Sequence, residues 1–256
     1  MTDLSRERAN DITRATIDLF PMLPFFDAGI DEPAISLCAS WYLTILAAKQ
    51  FDDAQDEAVT EKIPLGLSLL GLAQQFLADL ETDRASLTAI LNAFGRQMSV
   101  AAASQSGRIP LRQISYERYF RDVVAKSGNT FAVGAWCGAR MLLKEAVKAD
   151  LGPYYRFGMA MGIVIQLRDD WSDWRLDLRR GKLTLPVIYA LNNGRLQLSN
   201  AELDDSVITQ IEETVIACNA DAWCQRQVAQ YQQEALVAIE QMPECAPWLA
   251  RLVAMP

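Results

Sequence analysis

Apolar residues recur every third or fourth position along almost the whole chain, and that periodicity restricts the fold more than any other property of the sequence. It is the repeat of an amphipathic helix, whereas a half-buried strand needs strict alternation. No Asn-Gly or Asp-Gly hairpin joins two alternating β-branched runs. The chain is therefore expected to be all-α, with helices near 5–20, 32–58, 64–80, 84–104, 113–126, 130–147, 153–176, 184–193, 200–218, 221–241 and 245–254. Ser199-Asn-Ala-Glu202 reads as a capping box for the helix near 200–218, the serine accepting a first-turn amide while the glutamate reaches back. Breaks are expected at Pro21/Pro24, from Ser106 to Pro110, at Gly152-Pro153 and at Asn192-Asn193-Gly194. None is long enough for a linker, so residues 1–256 read as a single helical domain.

What such a bundle can do is narrowed by an absence: there is no histidine. Ser/His/Asp and Cys/His nucleophiles, histidine-ligated zinc or haem, and imidazole acid/base work all need an imidazole nitrogen. Carboxylate, lysine, arginine, thiol and metal-bound-oxygen chemistry remain. A net charge of −8 disfavours a nucleic-acid surface, which needs concentrated Lys/Arg, and an anionic substrate would require metal cations as mediators. The five cysteines form no CxxC pair and the first residues lack the apolar run of a signal peptide, so a cytoplasmic location is expected. Charges interrupt every apolar stretch before a membrane span is reached.

Two segments concentrate acid inside otherwise apolar helices. Phe51-Asp52-Asp53-Ala-Gln-Asp56 and Arg168-Asp169-Asp170-Trp-Ser-Asp173 both have the form DDxxD. Positions i and i+4 share a helix face, so Asp52/Asp56 and Asp169/Asp173 each make a carboxylate pair. Such pairs are hard oxygen ligands suited to Mg²⁺, which keeps several waters and takes one or two carboxylates plus phosphate oxygens. Each box comes after an apolar helical turn, which a merely solvated helix end would not need. Lys126-Ser127 stands seven residues after Tyr119, which places the lysine and the tyrosine on one helical face, and Lys182 precedes a short helix with a proline in its first turn. Each lysine alone is an ordinary surface residue; their value lies in the combination.

These residues resemble, in the same order, the motifs of the trans-isoprenyl diphosphate synthase (polyprenyl synthetase) superfamily. They are the two boxes, Gln166 three residues before the second, Lys126-Ser127 where the family usually has Lys-Thr, and Asp177 to Leu191 (DLRRGKLTLPVIYAL). The resemblance covers roughly 32–195. It implies an antiparallel helical bundle of the isoprenoid synthase type around a deep apolar cavity, with the boxes facing each other at its mouth. Three Mg²⁺ ions would bridge Asp52, Asp53, Asp56, Asp169, Asp170 and Asp173 to the diphosphate of an allylic prenyl substrate. Lys126 and Lys182 match diphosphate-binding lysines, with Arg168 as a further cation, and Gln166 matches the polar residue facing the reacting carbon. Trp41, Phe51, Phe131, Trp136 and Trp171 are candidate lining residues, and any of them can equally be plain core. Thr44, Ala47 and Ala48 precede the first box on or near the face of Asp52, where small residues would admit a long chain with Trp41 as its floor. A homodimer is expected from what relatives do.

The departures matter as much. Chain-elongating members bind isopentenyl diphosphate with a Gly-Gly-Lys-Arg-type motif upstream of the first box, a histidine, and an Arg-Arg pair after it. Here the upstream stretch from Pro21 to Pro33 is apolar and acidic, and a single lysine, Lys62, lies between Asp56 and Pro64. A free diphosphate without those cations would be left uncompensated. The segment between Asp173 and Asp177 is also shorter than is usual. The expected activity is therefore a class I terpene synthase, in which the cation from a C15 or C20 diphosphate is captured by its own chain. The alternative is a prenyltransferase to a lipid, peptide or aromatic acceptor other than isopentenyl diphosphate. Chain elongation and a non-catalytic partner subunit stand behind both.

Overall fold

The computed structural model describes residues 32–56, 59–104, 115–143, 150–193, 203–242 and 246–254. Among them all regular structure is helical: α1 (Glu32–Asp56), α2 (Lys62–Ala78), α3 (Arg84–Ser104), α4 (Tyr116–Val123), a π turn (Val124–Gly128), α5 (Asn129–Leu142), α6 (Gly152–Arg179), α7 (Leu185–Asn193), α8 (Asp205–Ala217), α9 (Ala220–Ile239) and α10 (Ala246–Val253). The all-α expectation holds. The helix expected near 5–20, the breaks at Pro21/Pro24 and from Ser106 to Pro110, and the Ser199–Glu202 capping box lie outside the described residues.

Local chemistry explains several helix ends. Asp83 accepts from the amides of Ala85 and Ser86, both at 2.9 Å, at the start of α3. The Ser115 hydroxyl accepts from the Arg118 amide at the start of α4. Pro153 sits in the first turn of α6, where its missing N–H costs nothing. The start of α8 differs from expectation: Leu203 and Asp204 are not helical, and Asp204 is the cap, accepting from the Val207 amide at 2.8 Å. A Schellman motif closes α6, with the Lys182 amide donating to the Asp177 carbonyl at 2.8 Å and the Gly181 amide to that of Leu178. Gly181 has φ +78°, a conformation glycine adopts without steric cost.

The expected break between helices near 113–126 and 130–147 is absent. Residues on both sides of the π turn keep right-handed helical dihedrals, so α4 and α5 form one continuous run through it. That run packs along α6 at very close range: a Cβ on Gly162 would lie 2.5 Å from the Ser127 carbonyl oxygen, and one on Gly128 would lie 2.6 Å from Met159 Sδ. Helix α6 is the axis of the molecule, burying Phe157, Met161, Val164, Leu167, Trp174 and Leu178 against α5, the π turn, α7, α8 and α9. The core runs beside it in three sections. One gathers Trp41, Phe94, Phe131 and Phe157, a second Val123, Val164, Leu167 and Val228, and a third Trp174, Leu178, Val187 and Ile211. Helix α2 stands apart from this axis and packs against α1.

Candidate active site

Three elements carry the acidic boxes and Lys126: the end of α1, the π turn, and the second half of α6. Their side chains meet through two adjacent residues. Lys126 Nζ donates to Asp52 Oδ1 at 3.3 Å, while the Ser127 hydroxyl donates to Gln166 Oε1 at 2.7 Å. Gln166 in turn donates from Nε2 to Asp170 Oδ1 at 2.7 Å, and the Tyr119 hydroxyl donates to Asp170 Oδ2. The first box, the lysine and the second box are thus physically joined at one place.

The six aspartates are not equivalent. Asp170 is buried, 6% exposed, and both its oxygens are taken by Gln166 and Tyr119, so it faces inward rather than the opposing box. Burial pushes its carboxyl up to about 6, a rise that the Tyr119 and Gln166 hydrogen bonds only partly offset. Asp169 and Asp173 lie one helical step round, at the exposed edge, and Asp177 extends them by another turn on the same stripe. Desolvation raises Asp169, and the like charges of Asp173 and Asp177 raise it further, against a lowering from Lys49 of α1. On the first box, Asp53 is held low, chiefly by its hydrogen bond from Lys62; it pairs with Lys62 of α2 at 3.0 Å and Lys49 at 3.4 Å. Asp56 ends α1, and its side chain lies outside the described residues. Among the described residues no three carboxylates or cysteines are gathered closely enough to enclose a metal ion unaided.

The other expected residues are spread over several elements. The expectation that Tyr119 and Lys126 share one face is corrected: Tyr119 reaches α6, whereas Lys126, inside the π turn where the helical phase changes, reaches α1. Lys182 is exposed just past the Schellman turn, and its charge partly offsets the rise that burial imposes on the Asp177 carboxyl. Arg168 is half-buried on α6, its guanidinium pulled down by burial. Trp41, 2% exposed, contacts Phe131 and Phe94 edge-on, and Trp136 packs against the same cluster. Ala47 is fully buried and Ala48 half-buried, while the Thr44 hydroxyl turns back to the Ser40 carbonyl. Phe51 is directed elsewhere, onto α2: a Cβ on Gly66 would come within 2.6 Å of its ring. Trp171 is also corrected as a cavity residue, because its indole donates to Asp221 of α9 and lines a surface pocket of about 260 Å³ with Trp174, Pro186 and Ile216.

Residues beyond those expected also belong here. Asp177 was readable as the next i+4 step of the second box, and Lys49 as the i−4 neighbour of Asp53. Gln97 of α3, which donates to the backbone of the π turn, carries no sequence signal because its partners lie about thirty residues away.

A sequence model of the family described as polyprenyl synthetase matches residues 56–215, starting at the last aspartate of the first box. Octaprenyl diphosphate synthase of Escherichia coli (strain K12) is 22% identical over 160 residues, which cover 56% of this chain and 49% of that protein. The chain thus spans about half the length of the curated relatives it matches. Among solved structures, heptaprenyl diphosphate synthase from Staphylococcus aureus superposes with a TM-score of 0.78 at 15% identity, covering 92% of this chain and 85% of that one. The geranylgeranyl pyrophosphate synthetase of the archaeon Geoglobus acetivorans gives 0.79 at 19% identity, covering 96% and 89%. The fold of the chain is that of these isoprenoid synthases.

Proposed function

From the premise that this chain belongs to the polyprenyl synthetase family, we propose that it is a Mg²⁺-dependent enzyme that ionises an allylic prenyl diphosphate, the resulting cation being captured by its own chain or, as the alternative, by an acceptor other than isopentenyl diphosphate. The observation that carries this reading is the junction of Lys126 with Asp52 beside the Ser127–Gln166–Asp170 relay, above an apolar core. A departing diphosphate needs positive charge, and a prenyl cation needs dry walls.

The donor set fits Mg²⁺. Burial raises the carboxyls of Asp169 and Asp177, and the like charge of Asp173 adds to it, so a hard cation held by one or two carboxylates and phosphate oxygens would relieve both the desolvation and the repulsion. Asp52, Asp169 and Asp173 are proposed as its protein ligands, together with Asp53 and Asp56 of the first box. When bound, Mg²⁺ supplies the charge that stabilises the leaving diphosphate. Lys126 and Lys182 bind the same diphosphate, with Arg168 at its edge. Gln166, fixed by Ser127 and Asp170, presents its amide toward the reacting end of the chain. Trp41, Phe131 and Trp136 are proposed to bound the prenyl tail and exclude water. With no histidine in the chain, the released diphosphate is the proposed base for the final proton.

Loss of the isopentenyl subsite is supported by the cation just beyond the first box: Lys62 is bound to Asp53 rather than presented to a second substrate. Capture by the same chain, giving a cyclised C15 or C20 terpene, is the reading taken first, with transfer to a lipid, peptide or aromatic acceptor next. Chain elongation is favoured by one finding, that the similar proteins are named as octaprenyl, heptaprenyl and geranylgeranyl diphosphate synthases. A homodimer is proposed as the working assembly. The test is incubation with C10, C15 and C20 prenyl diphosphates and Mg²⁺, with and without isopentenyl diphosphate, measuring pyrophosphate and extracted products. Pyrophosphate release with hydrocarbon products and no longer diphosphate is the expected result. Longer diphosphates would establish elongation instead, and simple alcohols would point to a missing acceptor.

A further inference from the structure

Gln97 is a buried amide on α3, 8% exposed, distant in sequence from both acidic boxes. Its Nε2 donates to the Ala125 carbonyl at 3.0 Å and to the Thr130 hydroxyl at 2.7 Å, with the Lys126 carbonyl at 3.4 Å. The Thr130 hydroxyl in turn donates to that Lys126 carbonyl. These acceptors belong to the π turn or border it. Widening a helix from i+4 to i+5 bonding releases carbonyls from their usual partners, and a buried carbonyl without one costs as much as a lost hydrogen bond. Gln97 and Thr130 supply those partners from the side.

The π turn has a consequence for the site. The wider i→i+5 turn that begins at Val124 shifts the helical phase progressively, in part at Lys126 within it and by about 100° for the residues after it. Residues seven apart would otherwise aim the same way. Here Tyr119 reaches Asp170 on α6 and Lys126 reaches Asp52 on α1. The opposite side of the turn is fixed by α6, since Gly162 admits the Ser127 carbonyl where a Cβ would collide with it. The turn is thus clamped between a glycine of α6 and an amide of α3.

We propose that Gln97 is a positioning residue whose amide holds the π turn in register, so that Lys126 is presented to the diphosphate between the two boxes. This rests on the proposal that the site binds a diphosphate. Without the amide, the freed carbonyls regain partners by returning to the α-helical register, which swings Lys126 away from Asp52. Ala125 and Lys126 carbonyls, Thr130 and Gln97 then act as one unit with the lysine, rather than as independent packing.

Calorimetric titration of inorganic pyrophosphate in excess Mg²⁺ tests this on the wild type, Gln97→Leu, Lys126→Ala and the double variant. Each single change is expected to weaken binding about tenfold, while Gln97→Leu adds less than about twofold once Lys126 is gone, as coupled residues do. Thr130→Val replaces Gln97→Leu in the same cycle if the leucine variant does not fold, with the same expected coupling. Binding by Gln97→Leu equal to wild type, or losses that multiply in the double variant, overturns the proposal. Unchanged binding by Lys126→Ala overturns the diphosphate reading itself, and this inference with it.

Discussion

Asp170 differs from its neighbour Asp169 by one helical step and by nearly everything else. Its carboxyl stands at about 6 because burial outweighs the hydrogen bonds from Tyr119 and Gln166. The folded state therefore holds the proton more tightly than the unfolded chain, whose carboxyl keeps its ordinary value of 3.8. Stability from this group is greatest below that ordinary value and is lost as pH rises to about 6. Above that the full penalty applies, on the order of 2–3 kcal/mol. In metal-free protein, Asp170→Asn is expected to raise stability at pH 7.5 and to leave it nearly unchanged at pH 3.5, read from urea unfolding in a chelator. A variant less stable than wild type at pH 7.5 contradicts the assignment. The asparagine keeps an acceptor for Gln166 or Tyr119 and offers the other a donor, so the network can be re-formed. The DDxxD spacing made both boxes legible, but it could not tell which aspartate faces inward. That division comes from Leu167, Trp174 and Leu178 turning Asp170 into the core and leaving Asp169, Asp173 and Asp177 at its edge.

At the scale of elements, helix existence was legible and helix phase was not. Periodicity located α1, α3, α6, α7 and α9 closely, because each buries a face with the 3.6-residue repeat. Ser127-Gly128-Asn129 looked like the end of one helix and the start of another. It is instead a π turn, stabilised by Gln97 from a different helix, and no local pattern announces such a partner. The start of α8 lies later than expected, at Asp205, where Asp204 caps the first turn by accepting from the Val207 amide. The close approach of the π turn to α6 yields a test at this scale. Gly162→Ala puts a methyl against the Ser127 carbonyl and the Phe131 ring, so one helix must shift. The expected cost is about 1–3 kcal/mol by denaturant unfolding, as for overpacked cores. Because Ser127 moves with its backbone, pyrophosphate binding should fall too. Full stability in this variant would mean that the two helices separate without cost.

At the scale of the molecule, helix α2 gives the described residues an exposed apolar surface that their packing does not explain. Helix α2 has no charged residue after Lys62, yet Ile63, Leu65, Leu67, Leu72 and Phe76 are each at least 40% exposed. A helix that is apolar on all sides is ordinarily buried, and among the described elements α2 packs chiefly on α1. Apolar exposure of this extent marks a contact surface. The proposed homodimer would cover it through a twofold contact, in which each substitution acts twice, once from either side. The acidic stripe lies on α6, whereas α2 packs chiefly on α1. Light scattering after size exclusion should report a dimer at micromolar concentration for the wild type. Leu67→Glu, at the most exposed of these positions, should shift it to a monomer, because two buried carboxylates would face each other without partners. Pyrophosphate binding by the monomer separates assembly from site. If it persists, the boxes and Lys126 work within one chain; a dimer that survives Leu67→Glu would place the interface on another face.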